Sequence, residues 1–282
     1  MVDTERGSET ALTAAAARAA HLLVDDAPII FADPLAERLL GDQAETLLAY
    51  HRNSGTHPIL AGARTQVTLR SRIAEERVAD GRRRGVDQYV ILGAGLDSFA
   101  YRTTLPVEVY EVDHPATQAW KRDRLASAGI ALPDRVTFVG VDLEAQPLLD
   151  TLVTSGFDPS RPAVVSWLGV TVYLTRDAIA ATLEALGTLA DGTELVLDYM
   201  LTEDLRDDAG RVYVDGVGPV AAERGEPWLS FFTPADMSLM LATAGFGGVT
   251  HLRQRDAEPA LWNRTDALSP AELSIVAIAT IH

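Results

Sequence analysis

The segment Leu92-Gly93-Ala94-Gly95-Leu96-Asp97 closes the first strongly β-prone run of the chain. Glycines at such a bend let the backbone turn sharply and approach a ligand, at the carboxyl edge where open α/β sheets bind ligands. Three later strand ends carry polar chemistry that belongs with it. Tyr110-Glu111-Val112-Asp113 sets Asp113 about twenty residues beyond the first glycine, where a carboxylate can accept hydrogen bonds from both hydroxyls of a ribose. Gly140-Val141-Asp142-Leu143 offers Asp142 to an exocyclic adenine amine and Leu143 to the ring face. Trp167 and Leu168, just before Gly169, end a fourth run whose edge would meet the other half of the same ligand. The competing readings are a plain strand-to-helix turn for the glycines, and helix caps or turn residues for Asp113 and Asp142.

Charge discriminates between the ligands such a rim could take. A dinucleotide site wants Gly-x-Gly-x-x-Gly or Ala, so that a pyrophosphate rests on a helix amino terminus. Here Ser98 stands at the third position and Asp97 lies inside the loop. A carboxylate there repels a pyrophosphate but suits a ligand carrying a sulfonium and an ammonium. At about 4 Å and an effective dielectric near 20, one such pair is worth roughly 4 kcal/mol before desolvation. The expected cofactor is therefore S-adenosyl-L-methionine, with Gly93, Ala94, Gly95, Asp97, Asp113, Asp142, Leu143, Trp167 and Leu168 around it. Its own carboxylate needs a cation: Arg64 is the first candidate and Arg18 the second, since guanidinium pairs bidentately with carboxylate. Either arginine reads equally well as a surface residue.

On the acceptor side the candidates are Tyr173, Asp198 and Tyr199, at the ends of the fourth and fifth strand runs, with packing or capping as their structural alternatives. Residues 202–232, with Tyr213, Trp228, Phe231 and Phe232, are expected to form a lid. A carboxylate acceptor is ionised at neutral pH and needs no base, whereas a phenol, with a pKa of about 10, benefits from one. The six histidines show no His-x-x-x-His spacing, and His51 with His57 makes a weak pair, so no metal site is expected.

The elements that must position these residues follow from pattern. Residues 11–20 are alanine-rich and read as a helix. Asp33 caps a second helix over 35–40, with Pro34 at its first position and Gly41 at its stop. An amphipathic helix covers 64–79, with Val67, Ile73 and Val78 inward. From Gln88 onward, strand runs at 89–92, 107–110, 136–139, 163–167 and 195–197 alternate with helical runs at 116–128, 148–154 and 176–190. Such alternation implies a parallel sheet covered on both faces. After an irregular acidic stretch to Phe232, a helix over 234–243 precedes two further runs, 248–252 and 273–278, that suit an antiparallel closing pair. The expectation is a seven-stranded, mainly parallel α/β fold. Residues 1–85 form a helical cap within the same domain, and 86–282 form the core, with 201–232 as the lid insertion.

The chain has 282 residues, no cysteine and a formal net charge of -16. That charge disfavours a phosphate backbone, so no nucleic-acid partner is expected; Arg82, Arg83 and Arg84 read as a solvated helix end. The longest mostly apolar run, 163–174, is too short to cross a bilayer. The start, with Asp3, Glu5 and Glu9, lacks the order of a signal peptide, so a cytoplasmic protein is expected.

The segments Ala63-Arg64-Thr65, Val90 through Ser98 with Tyr101-Arg102, Glu111-Val112-Asp113 and Val141-Asp142-Leu143 resemble the leucine carboxyl methyltransferase family. They are closest to its bacterial branch of S-adenosylmethionine-dependent methyltransferases. Phe31-Ala32-Asp33-Pro34 and the run 157–162 match as well, and the similarity extends over about 11–200. The resemblance implies a Rossmann-like class I methyltransferase fold with an added N-terminal helical cap, and donor contacts from Arg64, Gly93, Asp113, Asp142 and Leu143. It departs at Leu168, where many relatives carry a glutamate. The functional expectation is methyl transfer from S-adenosylmethionine to a carboxylate or hydroxyl oxygen of a small molecule. The rivals are a donor-binding protein without catalysis and a nicotinamide-dependent oxidoreductase.

Overall fold

The strand-forming runs fall on strands of the computed structural model, which describes residues 8–282; Asp3 and Glu5 lie outside the described residues. Helices α1 (Glu9–Val24), α2 (Ala36–Leu40), α3 (Ala44–Ser54) and α4 (Pro58–Arg83) come first. Then β1 (Gln88–Leu92), α5 (Phe99–Arg102), β2 (Glu108–Asp113), α6 (Pro115–Ser127) and β3 (Val136–Gly140) alternate. They are followed by α7 (Leu148–Thr154), β4 (Ala163–Trp167), α8 (Arg176–Leu186) and β5 (Glu194–Met200). The chain ends with α9 (Asp208–Glu223), α10 (Pro234–Thr243), β6 (Phe246–Arg253) and β7 (Ser274–Ile281).

Among the described residues the strands form one seven-stranded sheet in the order β3-β2-β1-β4-β5-β7-β6. The first five strands run parallel, and β7 pairs antiparallel with both β5 and β6. This is the Rossmann-like arrangement expected from the sequence. Strand alternation divides its core. Val90, Leu92, Val165, Leu195 and Leu197 face α8 and α10, where Leu183 and Leu241 are fully buried. Tyr89, Ile91 and Val164 face the other way and pack on Val78 of α4, while Val196 meets Ala74. No described helix is long and apolar enough to cross a membrane.

The chain passes from β1 outward to β3, then returns to lay β4 on the other side of β1. That reversal opens a crevice beyond the carboxyl ends of β1 and β4, where this fold class binds ligands. Gly93 sits in it at φ 68°, and a Cβ there would lie 2.2 Å from Cγ2 of Val170 on the β4 side. Glycine is required twice over, by backbone conformation and by space.

Three differences from expectation bear on the site. α3 had no forecast, because its buried residues are only Leu48 and His51. α4 starts at Pro58, earlier than the residue 64 expected, with His57 accepting from the Ile59 N–H as its cap. The stretch expected to be irregular, 201–232, contains the sixteen-residue α9, with Pro219 inside it. Small residues let α9 approach α4 closely: a Cβ on Gly216 would stand 2.3 Å from Cδ1 of Ile59, and one on Gly62 would stand 3.1 Å from Tyr213.

Candidate active site

At the crevice the β1 bend is fixed by its neighbour. The N–H groups of Gly93 and Ala94 donate to the Val112 carbonyl at 2.8 and 3.0 Å. The Asp113 carboxylate accepts from the Gly95 N–H at 2.6 Å and from the His114 N–H at 2.7 Å. Burial pushes this carboxyl upward, against the pull of those two N–H groups. A carboxylate has about four lone-pair sites, so the two backbone bonds do not exhaust its capacity to accept. Asp97 accepts from the Phe99 N–H at 2.8 Å, and Asp142 from the Glu144 N–H at 3.0 Å.

The resulting cleft has a volume of about 630 Å³ and is lined by Gly93, Ala94, Gly95, Asp97, Asp113, Asp142, Leu143 and Leu168, with Arg18 at its edge. Five carboxylates (Asp97, Asp113, Asp142, Glu144 and Glu226) and two arginines, Arg18 and Arg70, lie on its wall. Both arginines are engaged. Arg18 donates to Asp33 at 2.8 Å and to the Leu96 carbonyl at 2.7 Å, and Arg70 donates to Asp198 at 2.9 Å. A cleft so charged accommodates a cationic nucleoside and opposes a pyrophosphate.

A second chamber of about 410 Å³ adjoins the first. The two share Thr10, Ala14, Val67, Arg70, Gly169, Val170 and Tyr173 as common wall. Apolar and aromatic groups dominate the rest of the second chamber, among them Leu47, Tyr50, Ile59, Leu60, Tyr213, Val217 and Trp228. Tyr213 and Trp228 lie nearly parallel, with ring centroids 6.4 Å apart, and burial pushes the Tyr213 phenol up to about 12. Tyr173, on the shared wall, is likewise pushed upward by burial. The loop after α9 closes over both spaces. Glu226 accepts from the Ser8 hydroxyl at 2.9 Å and also from Thr10, and Arg224 pairs with Glu9 at 3.0 Å.

Most of the residues expected at the site meet here, and three do not. Arg64 lines neither space; its side chain is 1% exposed and its donors go to Asp25, His51 and the Gly55 carbonyl. Trp167 is fully buried in the core, because the strand pleat turns it away and leaves Leu168 to face the cleft. Tyr199 borders the second chamber, but its hydroxyl points to the far side of the sheet and hydrogen-bonds Nδ1 of His251 at 3.0 Å. Its neighbour Asp198, one position along the pleat, does face Arg70 and accepts from the Gly169 N–H at 2.5 Å. Sequence reading missed Arg70 and Glu226, and saw His51 only as half of a weak metal pair. The helical offset of 70 from 67, an expected inward residue, was the available signal for Arg70.

A family model described as leucine carboxyl methyltransferase matches residues 11–187. A Bacillus subtilis protein named "Putative S-adenosyl-L-methionine-dependent methyltransferase YktD" is 34% identical over 193 residues, 67% of this chain and 63% of that protein. The match thus spans a little under two thirds of that relative's length. Among solved structures, a "putative methyltransferase" from Thermobifida fusca is similar with a TM-score of 0.57 at 19% identity, covering 87% of this chain and 92% of that one. A DUF574 family protein from Streptomyces avermitilis is similar over the full length of both chains, with a TM-score of 0.57 at 16% identity. These two likenesses concern the fold.

Proposed function

The chain belongs to the leucine carboxyl methyltransferase family, and from that premise we propose that it transfers a methyl group from S-adenosyl-L-methionine to an oxygen, carboxylate or hydroxyl, of a small-molecule acceptor. The observation that carries the proposal is the pair of spaces with one common wall: an acidic cleft on the glycine bend and an apolar chamber beside it. The residues present fit the donor. Asp113 would hold the ribose, Asp142 and Leu143 the adenine, and the acidic wall with Asp97 the cationic end. Arg18 and Arg70 are the cations on that wall, and Arg64 is withdrawn from this role.

When bound, S-adenosylmethionine supplies a methyl group already activated by its sulfonium. The protein's part is alignment and exclusion of water, which can contribute on the order of 7–11 kcal/mol at best. Tyr173, Val170 and Arg70 stand where the two spaces meet and border the line of transfer. No base is assigned, since a carboxylate acceptor needs none. Residues 201–232 act as the lid, with α9 roofing the chamber and Glu226 latching the loop to the start of α1.

Turnover of methyl-labelled donor against a panel of carboxylic acids and phenols tests the proposal. Label in at least one acceptor is expected. Donor binding without transfer to any member of the panel would favour a non-catalytic binding protein.

A further inference from the structure

His51 is 5% exposed, lines the apolar chamber, and does not line the donor cleft. Its Nδ1 lies 3.1 Å from Nη1 of Arg64. A guanidinium only donates, so Nδ1 must be the acceptor and the ring proton is placed on Nε2. The arginine is itself anchored: Nε and Nη2 bond both oxygens of Asp25, at 2.8 and 2.9 Å. Asp25 also takes a hydrogen bond from Nδ1 of His21 at 2.9 Å, because the Ile30 N–H occupies Nε2 of that ring. Despite its burial, His21 and Arg64 hold the Asp25 carboxyl below its usual range. The result is a buried His21–Asp25–Arg64–His51 chain that ends in one N–H without a partner among the described residues, on a ring that walls the chamber. Burial and Arg64 lower His51 to about 4, so the ring is neutral near pH 7.

We propose that His51 is an acceptor-specificity residue: its Nε2–H binds a hydrogen-bond-accepting oxygen on the distal end of a ring-bearing acceptor, while the oxygen to be methylated lies at the wall shared by Tyr173 and Arg70. This rests on the methyltransferase reading above and names the substrate class for it. A neutral donor selects a carbonyl, ether or carboxylate oxygen, and the surrounding Tyr213, Trp228, Ile59 and Val217 select an apolar ring. An unmatched N–H in such a chamber penalises acceptors that lack the oxygen.

The experiment uses the full chain with 15N-labelled histidine. Without ligand, the His51 resonances should report the Nε2–H tautomer; the Nδ1–H tautomer overturns the proposal. Calorimetry with S-adenosylhomocysteine is run separately: absence of binding sinks the methyltransferase reading, whatever the tautomer. On the protein saturated with S-adenosylhomocysteine, 4-hydroxybenzoate and 4-coumarate are compared with succinate and adipate. At least one aromatic probe should shift the His51 Nε2 signal, and the acyclic acids should not. No shift from either aromatic probe, or a comparable shift from the acyclic acids, overturns the proposal. His51→Leu should weaken the aromatic probe about tenfold or more, and His51→Gln, which keeps an N–H near Nε2, should stay within about threefold. Both variants should bind S-adenosylhomocysteine as wild type does. Equal probe affinity in His51→Leu overturns the proposal. Should that variant fail to fold, His51→Gln and the wild-type shifts decide.

Discussion

Asp113→Asn changes one oxygen to an NH2 group and leaves the shape nearly untouched. In the wild type both oxygens are occupied by backbone donors, Gly95 N–H at 2.6 Å and His114 N–H at 2.7 Å. Whichever way the amide turns, its NH2 faces one of these N–H groups. One charge-assisted bond is lost, worth about 1.5–3 kcal/mol, and the bonds offered to a ribose fall from charged to neutral strength, a further loss of about 0.5–1.5 kcal/mol. The first loss is made in the free and the liganded chain alike and lowers stability by about 1.5–3 kcal/mol, whereas the second falls on binding and raises the Kd for S-adenosylhomocysteine roughly 2- to 13-fold. Titration calorimetry reads that number, and urea unfolding of the unliganded variant shows how much of the loss is in the bend itself. Binding equal to wild type would refute the assignment of Asp113.

Gly93→Ala combines a residue at φ 68° with a Cβ 2.2 Å from Val170 Cγ2. A loss of about 2–4 kcal/mol in urea is expected, part conformational and part steric. Val170→Ala in the same chain should recover only the steric part, so complete recovery would contradict the strained bend. His51 supplies a pH dependence. It is neutral in the folded chain down to about 4 but gains a proton near 6.5 when unfolded. The unfolded state therefore binds more protons between those values. Stability from this residue is complete above about 6.5 and falls as pH drops to about 4, by on the order of 3 kcal/mol. Unfolding free energies for His51→Gln should show that slope removed; an unchanged slope argues against the buried neutral ring. Glu226→Ala removes the acceptor for the Ser8 hydroxyl and for Thr10. Faster proteolysis within 202–232 and several-fold faster release of S-adenosylhomocysteine are expected, and unchanged release would rule out a latch.

The parts of the fold that were legible in the sequence are those governed by local rules. Buried parallel strands read as short apolar runs, and Gly93, Asp113 and Asp142 each mark the end of one, so the rim of the cleft followed directly. What escaped depends on which way a side chain points. Arg64 reads as a donor contact only if a helix begins there; the helix begins at Pro58, and α3 stands beside it to receive the guanidinium through His51. A joint contact from Trp167 and Leu168 overlooks that consecutive residues of an extended chain face opposite ways. The helix α9 was hidden by Gly210, Gly216, Gly218 and Pro219, residues that lower helix propensity. Gly216 is explained by the close approach of Ile59, a tertiary requirement that no local pattern expresses.

Behind all of this stands one claim, that the acidic rim on the glycine bend is made for a cationic nucleoside. Parallel calorimetric titrations of the wild-type chain with S-adenosylmethionine and with NAD test it most directly. The account predicts one site for the sulfonium ligand at micromolar or tighter concentration and no heat from the dinucleotide. Binding of NAD with none of S-adenosylmethionine would contradict it.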